Sequence, residues 1–76
     1  MPKQTPLAQE WLDKANQTAD PQEQIRCCAQ ALELDPECAL AYFYRGNGYV
    51  GLDQYTEAIA DYDQALHLDP QINFIN

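Results

Sequence analysis

Polar and apolar positions follow a helical period through most of the chain. Ala8, Trp11, Leu12 and Ala15 fall on one stripe, with Glu10, Asp13, Lys14 and Gln17 between them. Ile25, Cys28, Ala29, Leu32 and Leu34 supply the apolar positions of a second segment. Tyr42, Gly46 and Tyr49 lie on one face of a third segment, and Ala58, Tyr62 and Ala65 on one face of a fourth. The punctuation agrees. Thr5-Pro6 and Asp20-Pro21 read as helix starts, with Glu23 completing a capping-box pair with Asp20. Gly51-Leu52-Asp53 reads as a stop followed by a start. Asp35 and Asp69 each precede a proline and should leave the helical region. The pattern predicts four helices, near 6–18, 21–34, 37–51 and 54–68, and no strand. Helices joined by such short connections fold back as antiparallel hairpins. Gly46, Ala58 and Ala65 would let the second pair approach closely, with Tyr42, Tyr49 and Tyr62 around the contact.

The two halves also match one another. At an offset of 34, Gln30-Ala31-Leu32 meets Gln64-Ala65-Leu66, Leu34-Asp35-Pro36 meets Leu68-Asp69-Pro70, Ile25 meets Ile59 and Glu23 meets Glu57. An internal repeat of this period signals stacked hairpins. The first copy departs from the second at the closest helix contact, where Leu12 stands for Gly46 and Gln24 for Ala58. Cys28 for Tyr62 and Ala15 for Tyr49 remove bulk. A glutamine there needs a partner or solvent, so a splayed first hairpin is expected, with Trp11 as its main aromatic filler.

Tyr42-x2-Arg45-Gly46-x2-Tyr49, then Ala58-x3-Tyr62, then Pro70, resembles one tetratricopeptide repeat. The spacing is intact, and Arg45 is the one polar departure. The resemblance covers 39–72 well and 5–38 in degenerate form, leaving 73–76 as the start of a third repeat or a makeshift cap. It implies an all-α fold in a single domain, a short right-handed solenoid of two repeats and about four helices. It also implies a concave groove lined by Leu40, Phe43, Asn47 and Val50 from the second repeat, and by Pro6, Gln9, Asp13 and Asn16 from the first. The alternative is that Phe43 and Val50 pack against neighbouring helices. Asn47 would hydrogen-bond the backbone of an extended peptide. One subclass of the family grips acidic C-termini with Lys, Arg and Asn. Gln9, Asp13 and Tyr44 stand at the corresponding places, so that clamp is missing.

Charge narrows the partners. Four basic residues against twelve acidic ones give a net charge of −8, which opposes nucleic acid and anionic lipid. A basic or apolar protein or peptide segment is expected. No apolar run has the length of a secretory leader or a membrane span, and a cytoplasmic setting is expected. Cys27 and Cys28 are adjacent, which suits neither a relaxed disulfide nor zinc-ligand spacing, so all three cysteines read as reduced packing residues. The carboxylates read mostly as solvated faces. His67 lies near a helix C-terminus, where it suits the dipole. Nothing forms a catalytic, metal or cofactor constellation, so no enzyme is expected. Two roles remain open: a protein-interaction module, or a module that self-associates through its open end. Ile59, Leu66, Leu68, Ile72, Phe74 and Ile75 would form that end. The same residues would face further repeats if the chain were part of a longer array.

Overall fold

The computed structural model describes residues 7–72. Four helices follow one another: α1 Ala8–Gln17, α2 Pro21–Leu34, α3 Ala39–Gly51 and α4 Tyr55–Leu68. No strand occurs among the described residues. Helix α1 packs on α2, α2 on α3, and α3 on α4, and α3 also touches α1. Two hairpins are therefore stacked side by side, the all-helical repeat architecture that the pattern predicts.

The core is built from small side chains. Leu12, Ala15, Cys27, Cys28, Ala31 and Ala41 are buried together, with Ala8, Trp11, Leu32, Cys38 and Tyr44 packed around them. Cys27 and Cys28 are the largest side chains that are fully buried, as their reading as packing residues requires. Leu34, expected among the apolar positions of α2, is exposed. The first hairpin is packed rather than splayed. Leu12 fills its contact, and Gln24 reaches partial exposure at the edge instead of being sealed in.

Close approach in the second half depends on two glycines. A Cβ at Gly46 would lie 2.7 Å from Cε1 of Tyr62. A Cβ at Gly48 would lie 2.8 Å from Cγ1 of Ile25 and 3.0 Å from the backbone oxygen of Pro21. Gly46 thus seats the Tyr62 ring inside the second hairpin, and Gly48 lets that hairpin settle on the first.

Helix ends follow local chemistry, with corrections. Asp20 caps α2, accepting a hydrogen bond from the Gln22 N–H at 3.1 Å, and Pro21 opens the helix. The expected capping box stays half-formed. The Asp20 N–H donates to Thr18 Oγ1, while Glu23 pairs with Arg26 at 2.9 Å. Helix α1 begins after an extended Leu7, whereas the Thr5-Pro6 start lies outside the described residues. Gly51 ends α3 but is not its left-handed residue. That residue is Asp53, with φ 62°. The Asp53 N–H donates to the Val50 carbonyl and the Gln54 N–H to the Tyr49 carbonyl, both at 2.9 Å, the paired bonds of a Schellman ending. Gln54, not Asp53, is the N-cap of α4, and Asp53 accepts from the Tyr55 hydroxyl instead.

The two hairpins leave by the same turn. Asp35 and Asp69 both have φ −143°, with ψ 91° and 90°. Each carboxylate accepts from the N–H two residues on, and each carbonyl from the N–H three residues on.

Candidate functional site

Leu40, Phe43, Asn47 and Val50 run along one stripe of α3. Leu40 and Val50 are each 39% exposed, Asn47 is exposed and Phe43 is half-buried. Phe43 packs against Tyr44 and Tyr62, with ring centroids 5.7 and 5.9 Å away. Part of the packing alternative therefore holds for Phe43, and Val50 remains more open. Asn47 Oδ1 accepts a short hydrogen bond from the Tyr62 hydroxyl. This bond fixes the Tyr62 ring and orients the amide.

The structure gathers Phe43 and Asn47 with Tyr62 and Leu66 of α4 around an open pocket of about 510 Å³. Sequence reasoning placed the first pair in the groove and Leu66 at the open end, with Tyr62 inside the hairpin. The pocket is where these regions meet. Gln9 and Asp13 are exposed on α1 and hydrogen-bonded to one another at 3.1 Å. They do not line the pocket. On the open end, Ile59 is 60% and Leu66 40% exposed. Leu68 and Ile72 are half-buried, and Phe74 and Ile75 lie outside the described residues.

Beneath this surface is a pair that the sequence reading missed. Arg45 donates through Nε and Nη2 to the two carboxylate oxygens of Asp61, both at 2.8 Å. Asp61 is 5% exposed, so it is not one of the solvated carboxylates. The two-pronged geometry satisfies both groups in a partly dry setting. Their hydrogen bond is also the main reason the Arg45 guanidinium is held above its ordinary pKa. Arg45 further lies over the Tyr42 ring, 5.4 Å from its centroid. The signal was present in the sequence: Asp61 lies between Ala58 and Ala65 on the internal stripe of α4, opposite the one polar departure of α3.

Burial pushes the Cys28 thiol up to about 12, and burial together with the Glu23 carboxylate raises Cys27. Both thiols stay protonated near neutral pH, which suits packing and not nucleophilic chemistry. Burial also raises the Tyr62 phenol. No group of metal-ligating side chains occurs among the described residues. No helix among them is long and apolar enough to cross a membrane.

Residues 39–72 match the sequence model of the tetratricopeptide repeat. The chain is 41% identical over 44 residues to Protein SGT1 homolog of Oryza sativa subsp. japonica, covering 58% of this chain and 12% of that protein. It is 42% identical over 41 residues to the mitochondrial import receptor subunit TOM70 of Homo sapiens, covering 54% of this chain and 7% of that protein. It is 35% identical over 49 residues to a DnaJ homolog subfamily C member 7 homolog of Dictyostelium discoideum, covering 64% of this chain and 9% of that protein. The matches therefore span 12% or less of these relatives' lengths. Motif spacing, hairpin packing and sequence match coincide: residues 39–72 match the tetratricopeptide repeat in sequence and form a helical hairpin, stacked on a second hairpin.

Proposed function

We propose that this chain is a non-enzymatic protein-interaction module that takes a basic or apolar partner segment along the α3 stripe. The carrying observation is the exposure of Leu40 and Val50 on either side of Phe43 and Asn47. Apolar side chains in a row on a rigid helix can be covered by a peptide, and an amide among them can fix its backbone. The chemistry around the stripe favours the same partners. The net charge of −8 repels acidic segments, and Arg45 is already neutralised by Asp61. The repeat fold is an interaction fold, and one of the relatives is named as an import receptor subunit. A cytoplasmic setting belongs to this reading.

The test is a fluorescence anisotropy screen of short peptides with apolar, basic and acidic sequences. Apolar and basic peptides should bind. Leu40→Ala with Val50→Ala should weaken them about tenfold, near the 1.4 kcal/mol expected from losing two partly exposed contacts, with helicity unchanged. Phe43→Ala is a poorer probe because its ring also packs on Tyr62. Selection of acidic peptides, or binding indifferent to the double substitution, would refute the reading.

A further inference from the structure

The one amide on the α3 stripe is held by a side chain from the other helix of its hairpin. The Tyr62 ring is seated from two sides. Gly46 leaves room for its edge, where a Cβ would come within 2.7 Å of Cε1, and the Phe43 ring lies 5.9 Å away between centroids, tilted by 46°. That seat carries the Tyr62 hydroxyl to Asn47 Oδ1, to which it donates. Their separation falls below the range of N–H···O contacts, about 2.7–3.2 Å, and within that of O–H···O contacts. The amide oxygen, not its nitrogen, therefore faces α4. An amide is planar, so Nδ2 is directed away from the hydroxyl. Among the described residues Nδ2 has no hydrogen-bond partner, and Asn47 is exposed. The first hairpin lacks this device. At an offset of 34, Cys28 stands for Tyr62 and Asp13 for Asn47, and Asp13 accepts from Gln9 of its own helix.

We infer that Tyr62 is a positioning residue that sets the hydrogen-bond polarity of the groove: with Oδ1 turned to α4, Asn47 presents N–H donors, and a partner segment must bring a backbone carbonyl to meet them. The inference rests on the α3-groove reading and narrows it. An unrestrained amide can turn over about its last torsion, which is broad and roughly two-fold. It would then meet a donor or an acceptor equally well. Held by Tyr62, it discriminates between them. The restraint also orders the side chain before a partner arrives, which lowers the entropic cost of binding. An extended apolar segment suits this arrangement, because Leu40 and Val50 flank Asn47 with exposed apolar surface. Burial raises the Tyr62 phenol above its ordinary value, so the hydroxyl keeps the proton that it donates at neutral pH.

The probe is the acetylated, amidated peptide Leu-Lys-Leu-Val-Lys, titrated into the isotope-labelled full chain at neutral pH. Backbone amide shifts locate it, the Asn47 side-chain N–H2 signals report on the amide, and anisotropy of a dye-labelled copy gives the affinity. Expected are saturable shifts at Leu40, at Val50 and at the Asn47 N–H2 pair. Tyr62→Phe and Asn47→Ala should each weaken binding about fivefold, the size expected of one hydrogen bond, with helicity unchanged. The double variant should bind no more weakly than Asn47→Ala, because Tyr62 acts through the amide. Each peptide carbonyl is then replaced in turn by a thiocarbonyl, a poorer acceptor. One position should lose about fivefold on the parent chain and nothing on Asn47→Ala. Three results would overturn the inference and leave the groove standing. The first is a further loss from Tyr62→Phe in the Asn47→Ala background, which makes the role of Tyr62 purely structural. The second is an Asn47-dependent loss when a peptide N–H is replaced by an ester oxygen, which makes the amide an acceptor. The third is binding at the stripe that is indifferent to all three variants. A peptide that shifts neither Leu40 nor Val50 gives a different result: it removes the groove, and the inference with it.

Discussion

Arg45 and Asp61 occupy in the second hairpin the places that Trp11 and Cys27 hold in the first. The Arg45–Asp61 pair is ionic, whereas Trp11 and Cys27 belong to the apolar cluster of the first hairpin. Removing one member strands the other. Asp61→Ala should destabilise the chain by about 3 kcal/mol, toward the lower end of the range for a broken buried pair because the Arg45 side chain keeps 25% exposure. Arg45→Leu with Asp61→Leu should lie within about 1 kcal/mol of the parent, since apolar replacement of a buried pair is often neutral. Urea unfolding of the parent, single and double variants distinguishes these values, and a single variant as stable as the parent would show that the pair contributes nothing. The glycines make a sharper contrast. Alanine favours a helix over glycine by about 0.5–1 kcal/mol, yet Gly48→Ala should cost about 1–3 kcal/mol because its Cβ meets a backbone oxygen. Gly46→Ala should cost less, because its Cβ meets a side-chain ring and not backbone, although displacing that ring strains its bond to Asn47. Equal melting temperatures for the two variants would contradict this account.

Helix boundaries at the level of elements show why some signals were legible and others were not. Asp20-Pro21, Asp35-Pro36 and Asp69-Pro70 act through local sterics and capping, so their positions could be read from the sequence. The α3–α4 junction could not. Gly51 looks like a helix terminator, but its missing Cβ serves contact with Pro21 from the other hairpin, and the left-handed residue falls two places later. Asp53 at φ 62° is therefore a site for improvement. Asp53→Gly should raise stability by about 0.5–1 kcal/mol, since glycine adopts this conformation without a Cβ penalty, less whatever the exposed bond to Tyr55 contributes. Thermal unfolding checks it, and a lower melting temperature would mean that the side-chain bond outweighs the strain. The candidate site divides the same way. Leu40, Phe43, Asn47 and Val50 came from helical spacing joined to a family resemblance. Their convergence with Tyr62 and Leu66 is a tertiary juxtaposition that no single helix encodes. The Arg45–Asp61 pair was missed because a carboxylate beside apolar positions reads as solvated until its partner across the hairpin is seen.

At the scale of the molecule, alkali should be a weak point. Below about pH 9 the Cys28 thiol is protonated in both the folded and unfolded chain. Between there and about 12 only the unfolded chain loses the proton, so stability falls across that window and levels beyond it. Cys27 and Tyr62, both raised, act in the same direction. Cys28→Ala should flatten the decline of unfolding free energy with pH, at the expense of a small cavity, and an unchanged slope would show that the decline arises elsewhere. The twin turns at Asp35 and Asp69 reach further than stability. A joint of fixed dihedrals is a geometric operator: it takes the direction of one helix and returns the direction in which the chain departs. This chain contains that operator twice with the same value, once between its hairpins and once at the exit of the second. The two aspartate-proline steps thus give the chain the same local turn at the end of each hairpin.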